Sequence, residues 1–577
     1  MNSKISKILI FSVLILLIFT GAAAAQEWVV TAPGDTEKVN TSTIDASNMT
    51  LRQAIAKASS GDTIVFAENI TAINVLHGSL NISKDLTIGG NQNVIVRKDP
   101  SPVTQDLTIF TVSGSNVVFR QLTVENGNVM NGLGGAFLID KADVTLDSCT
   151  IQRNKAGTGG AIYMTNGSNV KLNTVSIYRN NATTDGSAIY VKNGTVDIQN
   201  TIIEGQSDKY NVIKLEKGTL TITESRIIGN NVTDKGSPIS ADAGTTVEIR
   251  NTTISDNIGT ESGGISTTGT LVIENSVFEN GKSAGAGGAI SMRDGSSGTI
   301  RYSIFKNNIA NDDGGAIHQS VNSTVSITGC TFLNNAANYG GAFFGRGTFT
   351  IDSSTAINNT AKFYGGAIAS WNDAKGTITK TIIASNTAKA NNTAKDPAGG
   401  GLNISRSDVL IGSNVIVGNT DPRMIDFGEE NATVRSSGDN FVGVYRGTTA
   451  FPINSSDALG ITLESVFVID GNGLPALTKS TGQTAGYNRV QVYTVELNSS
   501  PNNPAAHIFG GSQPAPQPEQ PPEQQPADPT VPEPEPPAKL SIGKILTYIL
   551  IIIVLIIILG VGIFVILRYN HKRKYKF

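Results

Sequence analysis

Asp312, Asp313 and His318 surround one glycine pair, and they are the residues of this chain whose types and spacing could do chemistry. Two carboxyl groups with an imidazole nearby could share the acid and base roles of glycoside hydrolysis. The plainer reading is structural. Asp and Asn recur in turns because their short side chains bond the local backbone, and His318 falls on an outward strand position. These three are the candidate catalytic set, and no catalytic residue is assigned. A Ca²⁺ site needs several converging oxygens, more than Asp312 and Asp313 supply, so no metal is expected. The glycine turns lack the Lys and Ser/Thr that follow the last glycine of a phosphate-cradling loop, so no nucleotide cofactor is expected either.

Two cysteines, Cys149 and Cys330, could form a disulfide in an exported protein. They occupy the same position of an internal repeat about seven units apart, which at ~4.8 Å per stacked strand is ~34 Å. A disulfide needs Cα atoms within ~7 Å, so two free, buried thiols are predicted. Asn166, Asn181, Asn193, Asn231, Asn251, Asn322 and Asn403 each begin an Asn-x-Ser/Thr triplet and are candidate N-glycosylation acceptors. A chain rich in Asn, Ser and Thr generates such triplets by chance, so a part of them is expected to be modified.

The element that positions these residues is a repeat. Gly-Gly-Ala followed by a large apolar residue appears at Gly134 to Phe137, Gly159 to Ile162, Gly287 to Ile290, Gly314 to Ile317, Gly340 to Phe343 and Gly365 to Ile368. Degenerate copies stand at Gly186, Gly236 and Gly263, and the double step from Gly186 to Gly236 hides one weak copy. Copies recur about every 24 to 27 residues, a spacing typical of solenoid units. Val144 and Leu146, then Cys149 and Ile151, alternate with period two, which means strand. Aligned units put Ile151, Ile177, Ile203, Ile227, Ile254, Phe278, Phe305 and Phe332 in one column, an inward apolar stack. Two residues earlier runs a column of small side chains from Cys149 to Ser354, with Val175 the exception, which suits a narrow part of the coil. A third column, Asn154, Asn180, Asn230, Asn257, Asn308, Asn335 and Asn359, reads as a turn ladder, since Asn tolerates left-handed backbone and bonds its own turn. The glycine pairs mark either positive φ or a close approach of stacked backbones.

These patterns predict an all-β chain folded as a right-handed parallel β-helix over 66–420. A cap region at 26–65 closes its open end, where strand edges and apolar interior would otherwise meet water. Thr50 and Gln53 form a capping-box pattern, and Leu51, Ile55 and Ala58 share one face of a short helix that plugs the first coil. Strands are predicted from Thr63 to Phe66, Leu86 to Ile88 and Val94 to Val96. Val409 to Val417 and Ile461 to Ile469 alternate and Val490 to Val495 does so in part, so 421–510 is read as further coils and a carboxyl-terminal cap.

Both ends speak of export and anchoring. Residues 1–25 combine Lys4 and Lys7, an apolar run and small residues before Gln26, the layout of a signal peptide. Residues 511–538 are Pro-, Gln- and Glu-rich, which favours an extended stalk; at ~3.1 Å per residue it would reach up to ~85 Å. Residues 545–567 are long and apolar enough to cross a ~30 Å hydrocarbon core, and the basic tail 568–577 places its own side in the cytoplasm. The expected location is therefore a single-pass cell membrane protein with its body outside. Lys+Arg 44 against Asp+Glu 47, a net charge of -3, gives no sign of a nucleic-acid partner.

The repeated GGAI with Phe305-Lys306-Asn307-Asn308 and Phe332-Leu333-Asn334-Asn335 resembles the GGAI/FxxN repeats of chlamydial polymorphic outer-membrane proteins. It is also similar to repeats of adhesin-like surface proteins of methanogenic archaea, which combine β-helix bodies, export signals and hydrophobic carboxyl-terminal anchors. The second comparison fits better, because the chlamydial family ends in a membrane β-barrel. The Phe278 unit departs from the pattern, with Asn280 one place early and Gly281 at the Asn position. The resemblance implies a right-handed parallel β-helix and attachment to surfaces, with extracellular glycans or cell-surface proteins as partners. A structural cell-envelope role and a surface-tethered polysaccharide lyase or hydrolase are the alternatives, since a fold does not determine an activity.

Overall fold

The computed structural model describes residues 25–469 and 475–477, apart from 38, 40, 41, 43, 102–104 and 390–398. Residues 1–24 of the expected signal peptide, the stalk, the spanning segment 545–567 and the basic tail lie outside the described residues, as does Val490 to Val495. Among the described residues no helix is long and apolar enough to cross a membrane.

The body is a parallel β-helix. One coil shows the design. Strand Ile162–Thr165 ends in a turn at Asn166 and Gly167, both with positive φ. Strand Ser168–Asn173 follows, bends at Thr174 (φ 56°) into strand Ser176–Tyr178, and bends again at Arg179 (φ 54°) into strand Asn181–Asp185. Each strand pairs in parallel with its equivalent one coil on: Ile162 with Ile189, Val170 with Val196, and Ile177 with Ile203. The strands that open each coil, of which Ile162–Thr165 is one, stack into a 15-stranded sheet. The next two faces fuse into one 30-stranded sheet, because Leu86–Lys98 and Asn116–Glu125 run unbroken through the bend between them.

The predicted inward column exists as drawn. Ile151, Ile177, Ile203, Phe278 and Phe305 are almost fully buried, and Phe278, Phe305 and Phe332 stack at 5.0 and 5.1 Å. The weak repeat copy is Asn211-Val212-Ile213, where the Ser187 amide bonds the Asn211 carbonyl as the glycine turns do elsewhere. Both thiols are free and buried, and burial pushes Cys149 up to about 11 and Cys330 up to about 12.

Two columns differ from their sequence reading. The ladder asparagines do not hold the left-handed residue; that role falls one position earlier, at Arg153, Arg179, Asn307 and Asn334. Each Asn instead reaches between coils: Asn335 Oδ1 accepts from the Asn308 amide at 3.0 Å and its Nδ2 donates to the Phe305 carbonyl at 2.9 Å. Gln206 fills the missing place, accepting from the Asn180 amide. The small-residue column is a second ladder: the amides of Thr201, Ser225, Thr252 and Ser276 donate to the hydroxyls of Ser225, Thr252, Ser276 and Ser303. Buried backbone donors at a tight bend need partners, so these positions select for hydrogen bonding as well as for size.

At the amino end, helix α1 (Leu51–Lys57) carries the capping box of Thr50 and Gln53, and Leu51, Ala54 and Ile55 face the first coil. At the other end the expected alternation from Ile461 is replaced by a helical turn, Leu463–Val466, before strand Phe467–Ile469. Leu463 and Val466, three residues apart and so on one helical face, pack against an apolar patch of Ile382, Ala384, Val415 and Val417. Strand Phe467–Ile469 then pairs antiparallel with Pro475–Leu477.

Candidate functional site

The outward side chains of the 15-stranded sheet form the floor of a groove. Register places Tyr163, Tyr190, Lys214, Ser240, Ser266, Ser291, His318, Phe344, Ala369 and Asn403 in one outward column. An outward residue on an open sheet face is ordinarily exposed, yet Ser266 is 0% and Phe344 3% exposed. Two walls account for this. The segment before each glycine pair stands on one side and the turn after each strand on the other. Glu261 and Arg293 meet across the floor at 3.3 Å, with the Ser266 hydroxyl donating to Glu261 from below.

The glycine pairs set the walls. The first glycine of the Gly-Gly-Ala pairs, such as Gly314 or Gly340, has positive φ, and a Cβ there would strike the carbonyl three residues on. The second, Gly315 or Gly341, has ordinary φ, but its Cβ would enter the carbonyl of the equivalent glycine one coil on. Both causes foreseen from sequence therefore act, one at each glycine, and the residue just before the pair always enters the groove from the same side.

His318 lies on the floor, facing out between Ser291 and Phe344, and stacks on Phe344 with ring centroids 5.9 Å apart. Asp313 stands on the wall beside Tyr339, half-buried, while Asp312 is exposed. Burial, reinforced by Asp312 and opposed by Arg346, lifts the Asp313 carboxyl up to about 6. Burial and Arg346 push His318 down to about 4, so its imidazole is neutral at pH 7, and its Nδ1 has no hydrogen-bond partner. The structure thus brings Asp313 and His318 to one part of the groove and leaves Asp312 at its rim.

Around them lies an aromatic cluster that the sequence reading missed. Tyr339 is its hub: Phe363 at 5.1 Å, Tyr364 at 5.7 Å, Phe344 at 6.2 Å and Trp371 edge-on at 5.2 Å. Phe344 is buried; Tyr339, Phe363, Tyr364 and Trp371 are half-buried and present surface to solvent. Lys362 Nζ lies 5.1 Å over the Phe363 ring and the Arg406 guanidinium 5.7 Å over Trp371. A signal was present. Tyr339 and Tyr364 directly precede their glycine pairs, where other copies carry Leu133, Thr158 or Asp313.

Upstream the groove is polar. Tyr163 and Tyr190 stack at 5.4 Å, the Tyr190 hydroxyl donates to Glu216, Lys192 pairs with Glu216 at 2.9 Å, and Lys214 pairs with Asp242 at 2.6 Å. Among the described residues no group of three or more His, Cys, Asp or Glu could hold a metal ion. Of the glycosylation candidates, Asn166, Asn251 and Asn322 are exposed at turns, and Asn181, Asn193 and Asn231 are half-buried. Asn403 is only 4% exposed because it belongs to the groove floor.

A family model described as right handed beta helix region matches residues 99–231 and 160–320. Together with the stacked parallel coils this defines the molecule as a right-handed parallel β-helix, the hand that nearly all β-crossover-β connections adopt. No curated protein matches the sequence. Among solved structures, a PL6 alginate lyase complex with trisaccharide is similar at 13% identity, covering 81% of this chain and 94% of that one, with a TM-score of 0.31. A likeness at that score carries no argument about activity.

Proposed function

We propose that this chain is a cell-surface adhesin-like protein that presents its β-helix on a stalk and binds glycans through the aromatic end of the groove. The observation that supports this is the half-exposed cluster of Tyr339, Phe363, Tyr364 and Trp371 beside Asp313 and His318. Large rigid rings with a polar group alongside give contact area at small entropic cost, a composition suited to recognition. The apolar segment 545–567 and the basic tail 568–577 support a single-pass anchor with the body outside the cell.

The enzyme reading has one observation in its favour, the Asp313 carboxyl poised near pH 6 on the wall of a groove whose floor carries the neutral His318. One experiment separates the two. Full-length protein is tested on a glycan array and on whole cells while bound polysaccharide is assayed for released oligosaccharide. Saturable binding that Tyr339→Ala with Trp371→Ala reduces at least ten-fold, without product release, is the expected result. Product release that Asp313→Asn abolishes would replace adhesion by catalysis, and binding unaffected by the aromatic changes would remove the groove from the account.

A further inference from the structure

Cations in this groove fall into two groups. Upstream, each stands against a carboxylate: Lys192 with Glu216, Lys214 with Asp242, and Arg293 with Glu261. At the aromatic end the pattern breaks. Arg346, Lys362 and Arg406 take part in none of the ion pairs among the described residues, and all three are exposed. They are nevertheless placed. Lys362 sits over Phe363 and Arg406 over Trp371, while Arg346 lies near enough to act on both Asp313 and His318. Beyond Trp371 a cleft of about 480 Å³ continues the site and is lined by Lys375, Arg406, Asp373 and Asp408. Asp408 is already engaged by Arg435 at 2.8 Å.

We infer that the ligand of this site is an anionic glycan, whose sugar rings lie on Tyr339, Tyr364 and Trp371 and whose acidic groups are met by Arg346, Lys362 and Arg406. This rests on the reading of the groove as a glycan site and adds the ligand's charge to it. Aromatic faces accept any sugar ring; cations without a carboxylate partner discriminate by charge, and a guanidinium meets a carboxylate or sulfate through paired N–H donors. Asp313 sets a pH dependence on the same site. It opposes an anionic ligand when ionised and not when protonated, and the groups acting on it are Asp312, Arg346 and Tyr339. Since His318 stays neutral through the range, binding strengthens as pH falls from 7 to 5.

The test is titration of the full-length protein with oligogalacturonate, chondroitin sulfate oligosaccharides and neutral β-glucan oligosaccharides of matched length, at two salt concentrations and at pH 5 and 7. Tighter binding of one or both acidic ligands than of the glucan, at least ten-fold and weakened by salt, is expected. Arg346→Gln with Arg406→Gln should remove that preference, and Asp313→Asn should raise acidic-ligand affinity at pH 7 to its value at pH 5. Equal or tighter binding of the neutral glucan, or an unchanged preference in the double-arginine variant, overturns the inference while leaving glycan binding standing. If no oligosaccharide binds and cell attachment survives the Tyr339 and Trp371 changes, the glycan reading itself falls. Thermal unfolding of each variant checks that the coils remain intact.

Discussion

Asn335→Ala tests whether the side-chain ladders hold the coils together. Asn335 is completely buried and makes four contacts between coils. Its Oδ1 accepts from the Asn308 amide and from Asn308 Nδ2, both at 3.0 Å, and its Nδ2 donates to the Phe305 carbonyl and to Asn359 Oδ1, both at 2.9 Å. Truncation strips the Asn308 amide of the side-chain acceptor it has in a site closed to water, while Asn308 Nδ2 keeps the Phe278 carbonyl and Asn359 Oδ1 keeps the Asn335 amide. An orphaned buried donor costs ~1–3 kcal/mol, and the weakened Phe305 carbonyl and a small void add to it. The expected loss is about 2–4 kcal/mol. Because each coil of a solenoid touches only its neighbours, the loss should concentrate there: hydrogen exchange at Asn308 and Asn335 should accelerate far more than at Asn180 or Asn230. Urea unfolding gives the magnitude and exchange gives its location. A loss below ~1 kcal/mol, or exchange that rises evenly along the body, would refute the ladder as the source of coil-to-coil cohesion.

Gly281→Asn puts an Asn where the Asn column carries a glycine, yet it is expected to destabilise, since a Cβ at Gly281 would enter the Gly288 carbonyl; a lowered thermal midpoint checks this, and a raised one would refute it. Cys149 and Cys330, held near 11 and 12 by burial, should resist a thiol reagent at pH 8 in the folded chain and react fully in urea. At the groove the two titrations oppose one another. His318 is lowered from 6.5 to about 4 in the folded chain, so it removes stability as pH falls through that window. Asp313 is raised from 3.8 to about 6, so it returns stability as pH falls from about 6 toward 3.8. Denaturation midpoints at pH 7 and 4.5 should therefore show His318→Gln less acid-sensitive than wild type and Asp313→Asn more so.

Repetition made the fold legible. A residue that recurs every 24 to 27 positions must meet its own copies, so the Ile/Phe column, the capped helix α1 and the unpaired thiols could be placed without coordinates. What alignment could not show is the direction in which a side chain bonds. The asparagines were readable as turn residues, but their contacts run between coils because the bend leaves amides that the sheets do not use. Leu463–Val466 was misread as strand because Ile461, Leu463 and Ser465 alternate locally, whereas the patch that captures Leu463 and Val466 comes from coils 46 to 84 residues earlier. The groove was half visible. Asp313 and His318 drew notice as titratable groups, while Tyr339, Phe363, Tyr364 and Trp371 look unremarkable in sequence and become a site only when stacking brings three coils into register.

Because every ladder bond joins a coil only to the next, nothing in the body measures its total height. Removing residues 252–275, for instance, would set the Ser276 hydroxyl where Thr252 now accepts from the Ser225 amide, and the neighbours on either side would meet as they do now. Coil number is thus open to change by duplication or loss of one unit, with the aromatic end of the groove carried intact. A lineage could in this way lengthen or shorten the body without redesigning the aromatic cluster.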